Sequence, residues 1–179
     1  VRRKPPKAKE LLKRKQHWHT DFGVEIADSL EEHNVKMGIN IFSRLVEHTS
    51  AGRPVVWITP VGPMGQYPVI AELINKLGTV DTSLIHTFAM DEWATEDGDP
   101  ISKKEYPYVT MFKQDMAEQF FDLLDKDKQI PTRNKNYAAG KLLHKYEKKI
   151  DALLKQDAGV IFTGGVGKIG HIMFWESTF

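Results

Sequence analysis

The chain has 179 residues, 41% of them hydrophobic, with a formal net charge of +1 and no cysteine. That length is one domain or most of one, with enough apolar material for a sizeable core. The totals exclude disulfides and cysteine-based zinc sites, give no global signal for nucleic acid, and contain no apolar run long enough to cross a membrane.

Residues 1–15 carry eight Lys or Arg and one Glu, a local charge of +7 against −6 in the rest of the chain. With Pro5 and Pro6 this reads as a basic arm, residues 1–20, that includes a short helix near Lys9 to His17. Charge alone would allow a contact with nucleic acid or an anionic membrane surface. A solvated extension is the favoured reading, and neither nucleic acid nor membrane is expected as a partner. No apolar segment follows the basic residues, so no secretory signal is read and a cytoplasmic location is expected. His17 and His19, two apart, would point away from each other on a helix, so no metal site is read there.

From Val24 to His48 apolar residues recur at Ile26, Leu30, Met37, Ile41, Leu45 and Val46, which predicts a long amphipathic helix. Ala51-Gly-Arg-Pro54 ends it. Val55 to Ile58 predicts a buried strand, Thr59 to Gln66 a loop containing Gly62, and Tyr67 to Leu77 a second helix. A strand, a glycine-containing loop and a helix can gather backbone N–H groups around an anion. The spacing is not that of a P-loop. Leu84 to Met90 predicts another strand, which delivers Asp91-Glu92-Trp93 at its end. Two acids at a strand terminus suit proton transfer, since burial can raise a carboxyl toward neutrality.

An acidic, solvent-facing loop runs to Pro100. Tyr108 to Leu124 predicts a helix with Val109, Phe112, Met116, Phe120 and Leu123 on one face. Lys126 to Asn136 reads as a polar loop and Ala138 to Leu154 as a helix. The strand Val160 to Phe162 follows. It opens into a turn holding Gly164, Gly165, Gly167 and Gly170, then His171 and, five residues on, Glu176. Alternation of this kind predicts an α/β fold with a mainly parallel sheet and helices on both faces. The loops at Thr59, Asp91 and Gly164 all follow strands, so they should meet at one edge of that sheet, where open α/β sheets bind ligands.

Three segments together resemble the glucosamine-6-phosphate isomerase/deaminase family: Pro63-Met-Gly-Gln-Tyr67, Phe88-Ala-Met-Asp-Glu-Trp93, and Gly164 through Glu176. The likeness covers residues 22–179, and the second domain boundary is accordingly set at 21–179. It implies a Rossmann-like three-layer fold, shared with the 6-phosphogluconolactonases. It also implies conversion of glucosamine 6-phosphate and water to fructose 6-phosphate and ammonia, without a cofactor. By the same resemblance Asp91 is the base that moves a proton between C2 and C1, His171 opens the sugar ring, and Glu176 orients His171. Thr59 and Gly62 fall where the family binds phosphate, Glu92 stands beside the base as a substrate-binding acid, and Gly164, Gly165, Val166 and Gly167 form the turn against the sugar. No metal is implied. A small sugar phosphate is the expected partner, and a homo-oligomer stays open.

The chain departs from the family in two places. Ile169 stands where the family has Asp two residues before the histidine, and Thr59-Pro-Val-Gly-Pro63 replaces Thr-Gly-Gly-Thr-Pro. Proline offers no N–H to a phosphate. These departures support an alternative reading, a catalytically degenerate sugar-phosphate-binding or regulatory protein. Family members continue well beyond this point, so we expect a domain incomplete at its C-terminus.

Overall fold

The computed structural model describes residues 23–102 and 104–165, together with Glu10, Lys13 and Asp21. Of the short helix expected near Lys9 to His17, only Glu10, in helical conformation, and Lys13, in a turn, are among the described residues.

The first described helix, α1, runs Leu30–Ser50, not from Val24. Ser29 sets its start: its hydroxyl accepts from the Glu32 N–H at 3.0 Å, and the Glu32 carboxylate reaches back to the Asp28 N–H at 2.6 Å. This is close to a capping box. The preceding segment is strapped to the helix by Lys36, which pairs with Glu25 at 3.2 Å and Glu32 at 3.0 Å and donates to the Ile26 carbonyl. Strand β1 (Val55–Thr59) and helix α2 (Gln66–Leu77) follow. Pro68 falls in the first turn of α2, where its missing N–H costs nothing.

Strand β2 is Ile85–Ala89. The helix expected over Tyr108 to Leu124 is shorter: α3 spans Phe112–Gln119, a 3₁₀ turn follows at Phe121–Leu123, and Tyr108 is 99% exposed. Leu124, not Leu123, is the buried leucine there. Within the expected polar loop 126–136 the chain forms a strand, β3 (Lys135–Asn136). It has no apolar signature because Asn136 is held by hydrogen bonds: its amide donates to the Thr87 carbonyl at 3.0 Å, and its oxygen accepts from Lys149. The helix expected over Ala138 to Leu154 divides into a 3₁₀ segment, Gly140–Lys145, and α4, Tyr146–Leu154. Strand β4 is Gly159–Phe162.

The four strands lie in the order β3-β2-β1-β4, and every pairing is parallel. Side chains alternate across the sheet. On one face Val55, Trp57, Ile85 and Ile161 pack with Leu45, Ile70, Ile74, Met116 and Phe120 from α1, α2 and the α3 region. Trp57 meets Phe120 edge-on at 5.4 Å and Tyr67 at 5.8 Å. On the other face Val56 and Phe88 pack with Leu153, and Tyr146 and Ile150 flank them. Each such large side chain, fully buried, contributes about 1.5–3 kcal/mol. The result is the expected three-layer α/β arrangement. Among the described residues no helix is long and apolar enough to cross a membrane.

Candidate active site

Strand register decides which loops meet. Val55 pairs with both Ile85 and Gly159, and at the far ends Thr59 pairs with Ala89 and Ile58 with Phe162. The chain therefore leaves β1, β2 and β4 at one edge of the sheet. Backbone bonds continue past the strand ends: Met90 N–H donates to the Thr59 carbonyl at 3.0 Å, and Thr163 N–H to that of Ile58 at 3.3 Å. Thr163 Oγ1 donates to the same Ile58 carbonyl at 2.9 Å. Thr59, Asp91 and Gly164 are thus brought together at the carboxyl edge, as their positions after strands predict.

The first loop is pinned from beneath. The buried Tyr67 hydroxyl donates to the Pro60 carbonyl at 2.8 Å, and the Gln66 amide to that of Pro63. Burial pushes the Tyr67 phenol well above its ordinary value. The Oε1 of Gln66, a wholly buried residue, has no hydrogen-bond partner among the described residues. Thr59 is buried and turns its hydroxyl to the Phe88 carbonyl at 3.4 Å. Gly62 is exposed at the loop's turn. The third loop rests on the first: a Cβ on Gly165 would stand 3.6 Å from Pro63 Cγ.

Asp91 is half-buried, and its carboxyl is pushed up to about 6, first by burial and then by the charge of Glu92. Such a value suits a base that must hold and release a proton near neutrality. Glu92, assigned to substrate on sequence, has both carboxylate oxygens on backbone. Oε1 accepts from Trp93 N–H at 2.9 Å and from Phe112 N–H at 3.0 Å, and Oε2 accepts from Lys113 N–H at 2.8 Å. Sequence reasoning passed over Tyr146 and Tyr137 as parts of this neighbourhood. The Tyr146 hydroxyl donates to the Ala89 carbonyl at 3.3 Å. Both phenols are pushed upward, mainly by burial, with Glu92 adding to it. Tyr146 had a signal as the polar tip on an apolar helix face; Tyr137 had none.

A cleft of about 350 Å³ lies between α1 and the end of β4, lined in part by His33, Lys36, Met37, Asn40, Phe162 and Gly164. Asp91 does not line it. Val166, Gly167, His171 and Glu176, and Ile169 with them, lie outside the described residues. Among the described residues no cluster of three His, Asp or Glu is placed to hold a metal ion.

No family model matches the chain. Among solved structures it is similar to a monomeric glucosamine-6-phosphate deaminase described as a missing link of the NagB superfamily. The two are 20% identical with a TM-score of 0.60 over 82% of this chain and 56% of that one. It is also similar to a 6-phosphogluconolactonase from Plasmodium vivax, at 24% identity and a TM-score of 0.53, over 83% of this chain and 48% of that one. The chain spans about half the length of these two proteins, and at such identities the likeness establishes a shared fold.

Proposed function

We propose that the protein acts on an amino-sugar phosphate, converting glucosamine 6-phosphate and water to fructose 6-phosphate and ammonia. The observation that supports this most is the meeting of Asp91 with the Thr59 and Gly164 loops at one sheet edge. In this reading His171, oriented by Glu176, takes the proton from O1 and supplies one to the ring oxygen, opening the pyranose. Asp91 then takes the proton from C2 and returns it to C1. C2, which carries the nitrogen, becomes an imine carbon. Water adds there and ammonia leaves. A half-buried carboxylate with an elevated pKa fits the carbon base, because it is dry enough to be reactive and still ionised at neutral pH.

The test measures ammonia and fructose 6-phosphate released from glucosamine 6-phosphate by the whole protein and by Asp91→Asn. General-base loss should lower kcat by about 10²–10⁴-fold; undiminished turnover in the variant would remove Asp91 from this role.

The first loop favours a second reading, binding without turnover. Pro60 and Pro63 supply no N–H, and the Thr59 hydroxyl is turned to a strand carbonyl. In that case glucosamine 6-phosphate raises Tm while no ammonia appears. Hydrolysis of a phosphosugar lactone, measured separately as acid release, would instead move the reading to the chemistry of the second structural relative.

A further inference from the structure

Among the described residues, the Glu92 carboxylate accepts hydrogen bonds from three backbone N–H groups, those of Trp93, Phe112 and Lys113. Helix α3 begins with no capping bond from its own N-cap residue, Met111. Its first N–H groups would be unsatisfied. They are satisfied instead by a carboxylate 20 residues upstream: Phe112 and Lys113 both donate to Glu92. A negative charge at a helix N-terminus is favoured by the helix dipole as well as by the bonds themselves. The excursion between them is closed by further contacts. Ala94 bridges Pro100, Thr95 N–H donates to the Asp99 carbonyl at 2.8 Å, and the Trp93 ring packs on Phe112 at 5.7 Å.

We infer that Glu92 is a positioning residue: it ties the end of β2 to the start of α3, closes the loop between them, and fixes a negative charge against Asp91. The charge is felt around it. Asp91 beside it, Asp115 on α3, Tyr137 after β3 and Tyr146 on α4 are each pushed upward first by burial, and the charge of Glu92 adds to that in every case. Lys113, whose N–H it accepts, carries its amine over the Tyr137 ring at 5.0 Å and not onto the carboxylate. Three N–H donors keep the carboxylate in place without neutralising it. Asp91 therefore titrates against a charge that cannot swing away. The catalytic meaning of this rests on the deaminase reading; the positioning itself does not.

Two variants separate the parts of the inference, both measured without substrate. Glu92→Gln keeps one acceptor oxygen and the shape but loses the charge. The Asp91 carboxyl, followed by carboxyl carbon resonance and assigned by its loss in Asp91→Asn, should titrate near 6 in the wild type and lower in Glu92→Gln, where the burial remains but the neighbouring charge is gone. Glu92→Ala removes the bonds, and the Phe112 and Lys113 amides should exchange about tenfold faster or more. An unmoved Asp91 midpoint in the first variant, or unchanged protection of both amides in the second, would overturn the inference. If the deaminase reading fails, wild-type protein releases no ammonia, while both of these readouts still stand or fall independently.

Discussion

Asp91 is costly to the fold in the form its proposed chemistry requires. Its folded carboxyl titrates at about 6 against an ordinary 3.8, so between those values the native state binds more protons than the unfolded state. Stability therefore falls as pH rises through that window and stays lower above it. Asp91→Asn, which removes the charge at nearly constant shape, should raise Tm relative to wild type at pH 8, and the difference should vanish near pH 4; thermal melts at both pH values check this. The proposed reaction has the opposite dependence, since the base works ionised, and kcat/KM should rise with pH through about 6. Asp91 was legible in the sequence because it follows an apolar strand directly. The task of Glu92 was not, because its partners are backbone amides twenty positions away and no side-chain pattern records them.

Elements show where local pattern wins and where packing overrides it. Helices α1 and α2 approach closely at Gly38, where a Cβ would lie 2.8 Å from Val69 Cγ1 and 3.2 Å from the Gln66 carbonyl. Val69 is β-branched and cannot turn aside easily. Alanine would gain about 1 kcal/mol of helix propensity against about 1–3 kcal/mol of overpacking. Gly38→Ala should therefore destabilise by roughly 1 kcal/mol net in urea unfolding, and Val69→Ala should relieve only part of that clash in the double variant, because the Val69 Cβ, itself 2.9 Å away, remains. At β4 Gly159 is required for a similar reason: a Cβ would fall 2.4 Å from the His48 ring. Apolar periodicity revealed α1, α2, β1, β2 and β4. It placed the start of α1 too early because Val24 and Ile26 imitate a helical face, while Ser29 sets the boundary. It missed β3 because a two-residue strand of Lys and Asn is stabilised by polar bonds that leave no trace in hydropathy.

The alternation of strands and helices was enough to read a parallel three-layer sheet, but not its order. Placing β1 between β2 and β4 is a matter of crossover geometry, which sequence spacing leaves open. That order also sets the sequence distances the chain must close. The Thr59–Phe88 contact joins residues 29 apart, and the Thr163–Ile58 contact joins residues 105 apart. Pairings of long range form slowly because loop closure precedes any gain from contact. In pulsed hydrogen exchange during refolding, the amides of Gly159 and Thr163, which bond to Pro54 just before β1 and to Ile58 within it, should gain protection later than that of Met90, which bonds to Thr59 of the same strand from the β2 side. Simultaneous protection would argue for a single concerted collapse. On the ribosome the same ordering leaves one flank of β1 bare until some hundred further residues have emerged, a sticky ribbon during synthesis that chaperones would have reason to shield.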